Sequence, residues 1–151
     1  MFLGLEADKK QGGGELSILC RRETLETGDY SIDGYARCVT IERKSLEDLI
    51  STLSSDRDRF RREHERMAEM GPGNAVVMVE ASWRDVLENR ADSLLSPKVV
   101  HRTALSWFRK YGVPWFFCDS RRWAEESAFR YLEKWYGAEE RETAALLLEL
   151  G

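Results

Sequence analysis

Glu42 and Lys44 stand two residues apart in Thr40-Ile41-Glu42-Arg43-Lys44, the end of a run rich in strand-forming residues. Side chains on a strand alternate between faces, so Glu42 and Lys44 point one way while Val39, Ile41 and Arg43 point the other. A carboxylate beside an ammonium suits hydrolysis of a phosphodiester. The carboxylate holds a divalent cation, which lowers the pKa of a bound water and stabilises charge on phosphate oxygens. The ammonium orients the attacking water or neutralises developing charge. One carboxylate holds Mg2+ poorly, so a second must come from elsewhere in the fold. Asp29, across the turn signal Asp33-Gly34, is the candidate. Each residue alone has an ordinary explanation. Glu-x-Lys at a strand end is commonly a solvated face. An Asp after Gly is commonly a turn residue. Asp48 stands at the third position of a helix capped by Ser45.

The elements that must position these residues follow from pattern. Leu16–Arg21 and Tyr30–Ile32 read as short strands, with Thr27-Gly28-Asp29 as a break between them. Tyr35–Lys44 reads as a third strand, antiparallel to the second through Asp33-Gly34. Ser45–Met70 reads as a long helix interrupted near Ser54-Ser55, with Leu46, Leu49, Ile50 and Leu53 as its apolar stripe. Gly71-Pro72-Gly73 ends it. The continuous apolar run Ala75–Val79 reads as a strand buried on both faces. A short helix over Trp83–Asn89 follows, then one capped by Ser96 with Pro97 at its first position, reaching Tyr111-Gly112. Val113–Cys118 is a further strand, and Arg121–Tyr136 and Ala138–Leu150 are two helices. The order implies a single α/β domain over residues 1–151, a mixed central sheet flanked by helices on both faces.

Taken together, Gly28-Asp29, Glu42-Arg43-Lys44 and Asp48 resemble the G-D…E-R-K-x-x-x-D signature of the XPF family of structure-specific endonucleases. Leu25–Ile32 is similar to the family's strand entering the site, and Ser45, Asp48, Leu49 and Ile50 to the helix after it. Arg59-Phe60 with Glu63 resembles a later helical block, so specific motifs span roughly Leu16 to Met70. The resemblance implies a restriction-endonuclease-like core that cuts DNA with Mg2+ or Mn2+, on branched or flapped substrates in repair or recombination. It implies metal binding by Asp29 and Glu42, a catalytic Lys44, and a tie to activity for Arg43 and Asp48. The alternation argument sets Arg43 away from Glu42, an orientation that a bulge would reverse. The family opens with a strand bearing Asp and then Arg-Glu. Met1-Phe2-Leu3-Gly4-Leu5 does not carry that pattern, and neither Glu6 nor Asp8 fits it. The reading therefore expects one strand fewer, with the missing one encoded upstream in frame. The glycine-bearing hairpins of a tandem helix-hairpin-helix module are also lacking, which implies a stand-alone nuclease domain of a bacterial or phage kind. Such a domain works as a homodimer or with another protein. Two alternatives stand beside this reading: a DNA-binding or scaffolding domain without activity, and a junction-resolvase or restriction-type nuclease.

Bulk composition agrees. The chain has 151 residues, 42% of them hydrophobic, which suffices for one core. No apolar run reaches the ~20 residues needed to span a bilayer, and the start does not read as a signal peptide. A net charge of −4 disfavours non-specific packaging of nucleic acid but allows a local basic groove. Arg57, Arg59, Arg61 and Arg62 are the candidate groove, against the alternative of a solvated mixed-charge face. The three cysteines match no zinc spacing; Cys38 and Cys118 read as buried free thiols, which points to a reducing, intracellular compartment. His64 and His101 read as structural. Trp107, Phe108, Trp115, Phe116, Phe117 and Trp123 read as core.

Overall fold

Five consecutive buried residues, Ala75–Val79, form the middle strand of a three-stranded parallel sheet. In the computed structural model the described residues are 2–4, 19–88 and 95–150. In chain order they form β1 (Phe2–Gly4), β2 (Leu19–Arg21), β3 (Ser31–Ile32), β4 (Thr40–Lys44), α1 (Leu46–Ser55), α2 (Arg57–Ala68), β5 (Ala75–Val79), α3 (Trp83–Glu88), α4 (Pro97–Tyr111), β6 (Trp115–Phe117) and α5 (Arg121–Leu150).

Strands β4, β5 and β6 are parallel in that order, with Glu42 opposite Val77 and Lys44 opposite Val79. Parallel neighbours need crossover connections, and α1–α2 and α3–α4 supply them. A second ladder runs β2-β1-β3, antiparallel on one side of β1 and parallel on the other. An isolated antiparallel bridge between Tyr30 and Ile41 links this mixed three-stranded sheet to the parallel one. On one face Ala75, Val77 and Val79 pack with Leu49, Leu53, Phe60, Met67, Val100 and Trp107 from α1, α2 and α4. On the other, Val76, Met78 and Ile41 pack with Ala124, Ala128 and Leu132 of α5. Helices on both faces explain why β5 shows no polar alternation.

Several boundaries differ from the sequence pattern. The strand expected over Tyr35–Lys44 begins only at Thr40. The Asp33-Gly34 turn is present, closed by Tyr35 N donating to Ile32 O at 2.9 Å, but of its two central residues only Gly34 has a positive φ, +82°. A type I′ hairpin turn needs both positive. The chain therefore makes a second turn, Cys38 N to Tyr35 O at 2.8 Å, before joining the sheet. Tyr35 is held out of the ladder by edge-on packing against Trp135 and Tyr136 of α5. Cys38 lies in that second turn and is exposed, contrary to the expected burial; Cys20 is exposed and Cys118 half-buried, and all three are free thiols. The break between α1 and α2 falls at Asp56, where Ser54 and Ser55 hydroxyls donate back to Ser51 O. The two expected C-terminal helices are one, because Gly137 alone costs roughly 1 kcal/mol against Ala and good helix formers flank it. Phe108, Phe116 and Trp123 are about half exposed rather than core, since Trp107 and Trp115 take the inward positions beside two of them. Phe2–Gly4 forms β1 beside β3 and bears no carboxylate; Glu6, Asp8 and the Gln11–Gly14 turn lie outside the described residues. No helix among the described residues is long and apolar enough to cross a membrane.

Candidate active site

The bridge at Tyr30–Ile41 brings Asp29 next to Glu42. Asp29 N donates to Ile41 O at 2.7 Å, and Ile41 N donates to Tyr30 O at 2.9 Å. The Asp29 side chain extends the contact: Oδ2 accepts from Arg43 N at 2.7 Å. This fixes the carboxylate at the end of β4. The approach requires glycine at position 28, where φ is +76° and an added Cβ would lie 2.1 Å from Thr40 Oγ1. Thr40 Oγ1 in turn donates to Thr27 O at 2.8 Å, tying the loop to the strand.

Glu42 and Lys44 point to the α1–α2 face, as alternation requires. Lys44 Nζ lies 2.7 Å from Glu42 Oε1, and each side chain is only 11% exposed. Burial, and after it the charge of Asp29, pushes the Glu42 carboxyl up to about 7. Burial by itself would lower the Lys44 ammonium, but the charge of Glu42 and its hydrogen bond outweigh that and leave it raised. Ionisation is thus resisted at Glu42 and favoured at Lys44, and a further cation would favour the Glu42 carboxylate.

Arg43 points to the other face, and no bulge reverses it. Its Nε lies 2.9 Å from Glu80 Oε1, its Nη1 donates to Glu125 Oε1 at 2.9 Å, and its guanidinium sits over the Tyr30 ring. Glu125 also accepts from Arg121 Nε at 3.0 Å. Asp48 N donates to Ser45 Oγ at 3.1 Å, so the cap at the start of α1 forms, and the exposed Asp48 side chain faces the same cleft.

That cleft, about 820 Å³, opens at the carboxyl ends of β4 and β5 and is lined by Asp29, Glu42, Arg43, Lys44, Asp48 and Glu80, with Arg22 and Arg121 also present. Ligands of open α/β sheets bind at such strand ends. All five residues singled out for chemistry reach it. Arg57, Arg59, Arg61 and Arg62 do not line it. Arg57 donates to Thr103 Oγ1 at 2.9 Å and covers Trp107, and Arg61 pairs with Glu65 at 2.6 Å. Glu80, Glu125, Arg121 and Arg22 escaped sequence reasoning. Glu80 had a signal, as the first polar residue after a buried strand. Glu125 and Arg121 enter only through the packing of α5. His64 is fully buried and fully partnered: Nδ1–H donates to Phe60 O at 2.9 Å and Nε2 accepts from Trp115 Nε1 at 2.8 Å. The indole only donates, so this tautomer is required.

An α/β domain presenting two carboxylates and a lysine at the end of a parallel strand has the layout of a phosphodiester hydrolase. The chain belongs to the ERCC4-domain family, whose model matches residues 11–128. It is the family to which the Gly28-Asp29, Glu42-Arg43-Lys44, Asp48 signature points, and its fold is the restriction-endonuclease-like one. ERCC4 domains are nuclease domains with DNA as substrate, and they generally depend on a divalent metal. A comparison with curated proteins gives no match.

Proposed function

We propose that the chain is an endonuclease that hydrolyses DNA phosphodiester bonds with Mg2+ or Mn2+, on branched or flapped DNA in repair or recombination inside the cell. The observation that carries this reading is the buried Glu42–Lys44 pair with Asp29 beside it in the cleft. Two hard oxygen donors, one of them raised first by burial and then by the charge of the other, fit a Mg2+- or Mn2+-type cation. Among the described residues no group of three His, Cys, Asp or Glu side chains gathers closely enough to hold a metal. Asp29 and Glu42 are the two ligands this reading assigns, with substrate and water completing the shell. When bound, such a cation supplies a nucleophilic water and charge stabilisation on the phosphate.

The chain's own residues do the rest. Asp29, held by Arg43 N, presents a fixed carboxylate. Lys44, within the same cleft, orients the water and offsets charge developing on the phosphate. Arg43 braces the end of β4 against β5 and α5 through Glu80 and Glu125. Asp48 serves the cleft from the first turn of α1. Arg22 and Arg121 at the cleft contact phosphates nearest the cut, and Arg59 and Arg62, exposed on α2, contact the duplex further out.

The test is cleavage of flap, fork, junction and linear DNA with Mg2+, Mn2+ or EDTA. Metal-dependent cutting of branched DNA supports the reading. Tight binding of branched DNA with no cutting under any metal would favour a scaffolding domain instead, and equal cutting of all DNA forms would remove the structure preference.

A further inference from the structure

Glu63 is a carboxylate that the site as described leaves unused. It lies on α2 three residues after Phe60, hence on the same side of the helix one turn on. Phe60 is fully buried, and the Lys44 ammonium rests over its ring, 5.0 Å from the centroid. Glu63 therefore flanks Lys44 from the helix while Glu42 flanks it from the strand. Its Oε2 is buried and has no hydrogen-bond partner among the described residues. A buried charged oxygen without a donor is costly and calls for a state in which it is satisfied.

Lys44 and a divalent cation compete for one carboxylate. With the 2.7 Å contact in place, Glu42 Oε1 is committed to the ammonium. When Glu42 turns to a cation shared with Asp29, the ammonium loses that acceptor while staying buried. We infer that Glu63 is a positioning residue that accepts the Lys44 ammonium when Glu42 engages the cation, holding Nζ at the cleft in the metal-bound enzyme. The inference rests on the proposed assignment of Asp29 and Glu42 as cation ligands. In the exchange no covalent bond changes: Lys44 stays protonated and swaps one carboxylate for another.

The experiment is Mn2+ titration by calorimetry of the full chain, beside Glu63→Leu, Glu63→Gln and the same changes in a Lys44→Met background. The Lys44 ammonium nitrogen shift is followed by NMR in a separate titration with diamagnetic Mg2+. Glu63→Leu should weaken Mn2+ binding about 10-fold, and Glu63→Gln about 3-fold because the amide oxygen still accepts a hydrogen bond; coupling of this size is ordinary for contacting groups. With Lys44→Met the effect of Glu63→Leu should shrink to less than about 2-fold, since no ammonium then needs rehousing. In the wild type the Lys44 signal should shift but stay sharp on Mg2+ addition, and broaden or vanish in Glu63→Leu. Equal losses for Leu and Gln that persist with Lys44→Met would mean plain long-range attraction and would overturn the inference. If wild type binds Mn2+ and the Glu63 variants bind equally well, only the Glu63 role fails. If wild type binds no Mn2+, and Asp29→Asn and Glu42→Gln change nothing, the cation assignment fails and the inference with it.

Discussion

Glu42 and Arg43 are adjacent residues of one strand, and each sits in an ion-pair system on its own face of the sheet. Among the described residues Glu42 is paired only with Lys44, at 2.7 Å, and has Asp29 and Glu63 acting on it as like charges. Arg43 is paired with two carboxylates, Glu80 and Glu125, and stacked on Tyr30. In the first system burial and the like charges of Asp29 and Glu63 act against one carboxyl that faces the Lys44 ammonium. The second is closer to balance and spans three elements. On the proposed reading the first is the place for a cation; a guanidinium shared by two carboxylates is a brace. His64 gives a third case, a buried titratable group with both nitrogens satisfied, and it needs no ligand to explain it.

The sharpest way to break this comparison is to remove one residue from each system. Lys44→Ala and Glu42→Gln should lower the cleavage rate by about 10³-fold or more, the upper range for loss of one positioned catalytic group. DNA affinity should stay within about 3-fold, because most phosphate contacts are elsewhere. Arg43→Ala should fall well short of that rate loss. Equal losses from Lys44→Ala and Arg43→Ala, measured as single-turnover rates, would erase the distinction drawn here.

The pH dependence of metal-free stability should separate the buried groups next. The folded Glu42 carboxyl, at about 7, lies above its ordinary 4.5, so the folded state binds the extra proton between those values. Its contribution is fully present below pH 4.5 and is lost as pH rises through 7. His64, lowered to about 4 by burial from 6.5, does the reverse: its contribution is present above pH 6.5 and lost as pH falls through 4. Each swing is of order 3 kcal/mol. Urea melts of the EDTA-treated protein from pH 4 to 8 should show the first swing vanish in Glu42→Gln, and should show it shrink when Mn2+ is added. A Glu42→Gln protein with the wild-type profile would mean that Glu42 is not the group that burial raises.

A smaller effect is expected for the brace. Arg43→Ala leaves the Glu80 carboxylate, 14% exposed, without its guanidinium, and should cost about 2 kcal/mol of stability. Arg43→Lys should recover only part of this, because an ammonium does not span two carboxylates as a planar fork does. Thermal melts check both; full recovery by lysine would mean that charge alone matters. The smallest effects fall on α2. Arg59→Ala and Arg62→Ala should each weaken DNA binding about 2- to 3-fold and reduce the salt slope by about one. Arg57→Ala should cost mainly stability, since its guanidinium serves Thr103 and Trp107. Salt-dependent binding titrations distinguish them, and an unchanged slope for Arg59 and Arg62 would take α2 out of the DNA path.

Much of this was decided by the order of residues alone. Period-two alternation put Glu42 and Lys44 on one face and Arg43 on the other. The unbroken run Ala75–Val79 called for a sheet covered on both sides. Ser45, Ser96, Pro97 and Gly112 marked helix ends by local backbone chemistry, which needs no distant partner. The family signature around Gly28-Asp29 and Glu42-Arg43-Lys44 was legible for the same reason: its spacing is set within one pair of strands and the helix that follows. What the tertiary structure decided lies where long-range packing competes with local preference. Tyr35 and Cys38 left the expected strand because α5 offered the tyrosine two aromatic rings. Phe108 and Phe116 stayed half exposed because the neighbouring tryptophans took the inward positions. Glu80, Glu125 and Arg121 joined the cleft, and Glu63 came to flank Lys44, through contacts between elements far apart in the chain. Alternation and caps depend on backbone geometry over a few residues, whereas burial of a charge depends on everything that folds over it.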